Sequence, residues 1–164
     1  MTNNNNTPDP RLHFVVATAI IVKDGKFLIA KRAAHEKAFP NKWTVPGGKL
    51  VLHEYSKLPH KTEYPQWYNV VDRVLKKEVR EEVGLEIDKP QYLCDLVFVR
   101  PDGYPVVTLS YWANYKSGEV SLCKDLTDHA WVTLEEAKNY DLIEGVWDEF
   151  KEVSELLWPI ALGN

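Results

Sequence analysis

The chain has 164 residues, 45% of them apolar, six tryptophans and a formal net charge of −4. That is material for one globular domain with a substantial core, and it leaves no room for a second catalytic domain. The mildly acidic balance lacks the basic stripe that a long nucleic acid would need, so no such partner is expected. Cys94 and Cys123 stand apart without metal-ligand spacing, and nothing near the N-terminus reads as a secretion signal or membrane span. Free thiols in a cytoplasmic protein are the expectation.

Residues 1 to 11, beginning MTNNNNTPDP, are polar and punctuated by proline, and read as a disordered tail ahead of a domain spanning 12 to 164. From 12 to 22, LHFVVATAIIV is a β-branched run suited to a central strand, and Asp24-Gly25 supplies a tight turn into FLIAKR, a second strand. Residues 33 to 43 form an irregular loop, after which Trp43 to Val45 lead into a turn at Gly47-Gly48. An aromatic-rich segment at about 52 to 68 reads as an insertion, a lid or substrate wall that would shape substrate choice. A helix follows from Asn69 or Val70 to Val83, with Gly84 as its left-handed stop. QYLCDLVFV and VVTLSYWANY are two further strands joined by the turn RPDGYP, and DHAWVT is a short one. Thr133 caps a short helix with Glu136 three residues later, and GVWDEFKEVSELLW is an amphipathic C-terminal helix.

The informative segment is KEVREEVGL at 77 to 85. Helical spacing puts Glu78 and Glu82 nearly in line with Val71, Val74 and Leu75, with Glu81 on the adjoining strip. These carboxylates continue the apolar stripe instead of opposing it, and three of them in proximity repel unless a cation or proton sits among them. Hard oxygen ligands in that arrangement suit Mg²⁺ or Mn²⁺.

The succession of strand, glycine break, loop, carboxylate helix and glycine stop resembles the signature of the Nudix hydrolases. Gly48 matches its opening glycine, and Lys77 to Leu85 match its Arg-Glu-apolar-x-Glu-Glu-x-Gly-apolar helix. GKFLIAKR and WVTLEEA also look like the family, so the resemblance covers roughly residues 12 to 155. It implies an α/β fold, a mixed sheet sandwiched between helices. It also implies metal-dependent cleavage of a pyrophosphate linkage in a nucleoside diphosphate derivative. The short chain and GKFLIAKR resemble the small MutT-like enzymes, which favours a nucleoside triphosphate, modified or not, split to monophosphate and pyrophosphate. Pro101, sixteen residues after Leu85, has the spacing of ADP-ribose pyrophosphatases, so ADP-ribose or a sugar nucleotide stays open, as does a non-catalytic nucleotide sensor.

By the same resemblance, Glu78 and Glu82 are the primary metal ligands, Glu81 binds a second ion or orients the water, and the Gly48 carbonyl completes the sphere. Which glutamate acts as base stays open between Glu81 and Glu82. Asp125, with Asp128 as the alternative, is the candidate for a further catalytic acid. Arg32 is the phosphate or base contact, Lys49 a supporting cation, and Phe39 and Trp43 candidates for stacking on a base. Many relatives dimerise, so a homodimer is compatible with the resemblance. Two departures stand out: Lys77 replaces the signature arginine, and the signature glutamate, counted back eight positions from it, falls on Asn69. Lysine lacks the planar fork that holds a carboxylate with two bonds.

Overall fold

A computed structural model describes residues 9–60, 62–100 and 102–159. Most of the expected tail, and Pro101 with its spacing, lie outside them. The order of elements is β1 (Phe14–Lys23), β2 (Lys26–Arg32), β3 (Trp43–Thr44), β4 (Gly47–Lys49), α1 (Leu52–Tyr55), α2 (Val70–Val83), β5 (Glu86–Ile87), β6 (Gln91–Val99), β7 (Pro105–Ser117), β8 (Leu126–Val132), α3 (Leu134–Ala137) and α4 (Val146–Leu157).

The long β-branched run is buried on both faces because it becomes the middle of the sheet. β1 pairs in parallel with β7 from Phe14↔Val106 to Val22↔Asn114, and the other pairings are antiparallel. Strand alternation sends Ala17, Ala19 and Ile21 to one face, where Leu75, Val79 and Val83 of α2 pack. It sends Ile20 and Val22 to the other, against Val146, Phe150 and Val153 of α4. The result is the helix–sheet–helix sandwich the resemblance implied. Each fully buried aliphatic side chain contributes roughly 1.5–3 kcal/mol, so the packed stripe fixes the rotation of α2 and hence the direction of its glutamates. Among the described residues, no helix is long and apolar enough to cross a membrane.

The β1–β2 hairpin turns at Asp24 and Gly25, with φ of 50° and 75°. Its strands pair only beside that turn, at Val22↔Phe27 and Lys23↔Lys26, and then separate. The chain from 43 to 49 fills the gap. Thr44 pairs with β2, and Gly47 to Lys49 pair with Thr18 to Val16 of β1. Gly47-Gly48 is therefore strand, not the expected turn. The reason for two glycines is crowding: a Cβ on Gly47 would overlap the Ala17 carbonyl oxygen and lie 2.9 Å from Thr18 Cα, and one on Gly48 would overlap Glu78 Cδ. The separation of β1 from β2 opens a cleft of about 860 Å³, entered over Gly47 and Gly48.

The end signals behaved as local chemistry requires. Gly84 caps α2 at φ 72°, its N–H donating to Arg80 O at 3.1 Å. Thr133 and Glu136 form the capping box on α3. Both cysteines are free and half-buried.

Candidate active site

Glu78 and Glu82 project from α2 beneath β4 and line the cleft. Glu82 Oε2 accepts the Gly47 N–H at 2.9 Å. Burial pushes its carboxyl up to about 7; the Gly47 bond and Arg32 oppose this, while Glu78 and Glu36 add to it. No cation lies within ion-pair distance of Glu82 among the described residues. Glu78 is also raised, first by burial, with Lys77 pulling it down and Glu81 and Glu54 pushing it up.

Lys77 holds the neighbouring charges. Its Nζ lies 3.1 Å from Glu81, 3.3 Å from Glu54 and 3.6 Å from Glu78. Burial lowers the affinity of this ammonium for its proton, but Glu81, Glu78 and Glu54 together outweigh that and raise it. The contact with Glu54 corrects the alignment of the signature. Glu54 lies six residues after Gly48, the position of the signature glutamate counted forward, whereas Asn69 is only the left-handed N-cap of α2 at φ 57°. The ion pair that braces the helix is kept, with lysine as its cation. The extra residues fall after Glu54, and they are packed on themselves: Tyr55 and His60 meet the Trp67 ring, and Trp67 Nε1 donates to Leu58 O at 2.8 Å. None of the described residues of 52–68 lines the cleft, so the expected lid or wall is not there.

The remaining candidates divide. Arg32 lines the cleft, but its guanidinium is engaged, with Nε donating to Ala38 O at 2.8 Å and the other end paired with Glu36. Phe39 lines it and packs at 6.2 Å on Phe98, which lines it too. Lys49 is at the rim. Trp43 is elsewhere: its ring packs edge-on at 4.8 Å against Tyr140, in the core beside α4. Glu81 turns away from the cleft to Lys77. Asp125 Oδ1 accepts from His35 Nε2 at 2.9 Å and lies outside the cleft lining. Asp128 sits on β8 and accepts the His129 N–H.

Two groupings of potential metal ligands are thus present. His35, Glu36 and Asp125 have potential ligand atoms within 4.8 Å of one another, but Glu36 is already paired with Arg32, and His35 and Asp125 are open to solvent. Glu78 and Glu82 are only half-buried, yet they share a cleft and lie under a backbone that glycine alone lets approach. An oxygen-only donor set of that kind fits a hard divalent cation.

No family model matches the chain. Nucleoside triphosphatase NudI of Klebsiella pneumoniae is 26% identical over 140 residues, which are 79% of this chain and 89% of that protein. Among solved structures, a MutT NUDIX hydrolase from Burkholderia pseudomallei superposes with a TM-score of 0.68 at 23% identity, covering 87% of this chain and 98% of the other. In sequence the chain is similar to a Nudix-type nucleoside triphosphatase, and in fold to Nudix hydrolases. The NUDIX domain of Shewanella oneidensis NrtR, complexed with ADP ribose, shares the fold at the same TM-score and 17% identity, covering 96% of this chain and 99% of that one. The curated relative is thus an enzyme that hydrolyses nucleoside triphosphates. Nudix hydrolases are generally dependent on a divalent metal.

Several residues in the cleft or bracing its helix escaped sequence reading. Glu54 was findable by counting forward from Gly48. Glu36, Phe98 and Glu149 carried no local signal, because only the pairing of β6 with β7 and the packing of α4 on the sheet bring them to the loop after β2.

Proposed function

We propose that this protein is a Nudix hydrolase that cleaves nucleoside triphosphates to the monophosphate and pyrophosphate, with Mg²⁺ or Mn²⁺. The observation that carries this reading is Glu78 and Glu82, both half-buried, one turn apart on α2 at the glycine-lined end of the cleft. Glu78, Glu82 and the Gly48 carbonyl hold the metal, while Glu81, paired with Lys77 outside the cleft lining, has to turn inward to serve a second ion or the attacking water. The bound metal supplies positive charge against the phosphate oxygens as the bond breaks. The chain's own parts do the rest. Gly47 orients the Glu82 carboxylate through its N–H, and the Lys77 ammonium offsets the repulsion between Glu78 and Glu81. Arg32, braced by Glu36, faces the phosphates. A triphosphate is favoured by the similarity to nucleoside triphosphatase NudI.

The NUDIX domain complexed with ADP ribose makes that nucleotide the second reading to test. The experiment is release of phosphate and pyrophosphate from a panel of triphosphates, ADP-ribose and sugar nucleotides with Mg²⁺ or Mn²⁺, beside Glu82→Gln. Pyrophosphate from a triphosphate, abolished in the variant, is the expected result. Turnover of ADP-ribose alone would replace the substrate, and nucleotide binding without any turnover would replace the hydrolase with a sensor.

A further inference from the structure

The cleft has a second polar end. Thr18 of β1 and Ser110 of β7 are register partners, and their hydroxyls lie 3.1 Å apart. Ser110 is fully buried and donates to Glu149 Oε2 of α4 at 2.9 Å. With its single proton committed to Glu149, Ser110 receives the proton of Thr18. The hydroxyls therefore run as a relay, Thr18 to Ser110 to Glu149, across two central strands and onto a helix. Thr18 and Glu149 both line the cleft that Glu78 and Glu82 line.

Such a relay has a direction and leaves a specific remainder. A carboxylate has about four acceptor positions and no donor. One oxygen is held by Ser110. The other, Oε1, has no protein partner among the described residues and is not sealed from solvent, so what it lacks is a donor from whatever fills the cleft. Burial raises the carboxyl, Ser110 lowers it and Glu152 raises it again, which marks a group that is short of hydrogen bonds to its charged form. No third His, Cys, Asp or Glu atom gathers with it in the manner of a cation site among the described residues. The walls between the two ends include Val16, Val146, Ile143 and the ring of Phe98, apolar surfaces suited to a flat heterocycle.

We propose that Glu149, positioned by Ser110 and Thr18, is the specificity-determining residue of the cleft and accepts a hydrogen bond from the exocyclic amino group of the substrate's nucleobase. This rests on the nucleotide reading above. A base with an amino group at that edge satisfies the free oxygen. One with an oxo group there sets two acceptors against each other and leaves a half-buried carboxylate unpaired, and sites of that kind discriminate strongly.

The test is equilibrium binding of GMP against IMP, which differ only in the amino group, and of CMP against UMP, which exchange amino for oxo. It is measured by calorimetry on the wild type and on Glu149→Gln. The amide of glutamine can still accept from Ser110 and presents a donor or an acceptor to the cleft, so the variant retains its fold, checked by its melting temperature. The expected result is an amino-bearing preference of about 10- to 100-fold in at least one pair, falling to within about threefold in the variant. A flat profile in the wild type, or a preference that survives Glu149→Gln, overturns the assignment. Binding without turnover separates the two readings: amino preference lost in Glu149→Gln, in a protein that hydrolyses nothing, keeps the base contact and removes the hydrolase. Turnover with a flat base profile does the reverse, and no binding of any of the four nucleotides removes both.

Discussion

The two ends of the cleft solve the burial of a carboxylate in opposite ways. At the α4 end one glutamate is held by a hydroxyl relay, and its charge is met by dipoles. At the α2 end Glu54, Glu78 and Glu81 lean on the single ammonium of Lys77, and Glu82 has a backbone N–H but no cation. A carboxylate satisfied by neutral donors is suited to reading a ligand's edge. Carboxylates left in surplus are suited to taking up positive charge.

Removing charge should therefore cost most at the α2 end. Glu82→Gln is expected to lower kcat/KM by at least about 10³-fold, on the several kcal/mol that a metal contributes, read as pyrophosphate release. Gly48→Ala comes next. Its methyl group would overlap Glu78, and displacing a ligand by about 1 Å costs on the order of 10²-fold in rate; steady-state kinetics and a drop in melting temperature report it together. Lys77 acts through Glu78 and Glu81, so Lys77→Ala should weaken metal binding by about 10- to 100-fold while Lys77→Arg stays close to wild type, checked by metal titration. If the arginine variant bound metal far more tightly, the lysine would be a handicap instead of an equivalent brace.

The smallest effect is one of stability. Glu82 binds its proton more tightly folded, at about 7, than at its ordinary 4.5. Its contribution to stability is therefore fully present below pH 4.5 and is lost as pH rises through about 7. In metal-free protein, Glu82→Gln should melt above wild type at pH 8 and lose that advantage at pH 5. Added Mg²⁺ should raise the wild-type melting temperature more at pH 8 than at pH 5, since proton and cation compete for one carboxylate. Equal shifts at both values would place the metal elsewhere.

What could be read in advance was local. The β-branched run became β1, Thr133 and Glu136 made their capping box, and Gly84 stopped α2 in the conformation its lack of a side chain permits. What could not be read depended on partners distant in sequence. Trp43 has the composition of a stacking residue, but Tyr140 claims it. Gly47-Gly48 has the composition of a turn, but β1 offers it a ladder. Asn69 was reached by counting backward through an insertion, and Glu54 shows that spacing survives only on the uninterrupted side. Glu149 reads as one polar position of an amphipathic helix until α4 is laid across β7.

The hydrogen bonds at the two ends also span different lengths of chain. Gly47 and Glu82 are 35 positions apart, whereas Thr18 and Ser110 are 92 apart, and the relay needs a further 39 to reach Glu149. Closing longer loops is slower and entropically dearer. The relay to Glu149 thus asks more of the completed sheet than the Gly47–Glu82 bond does.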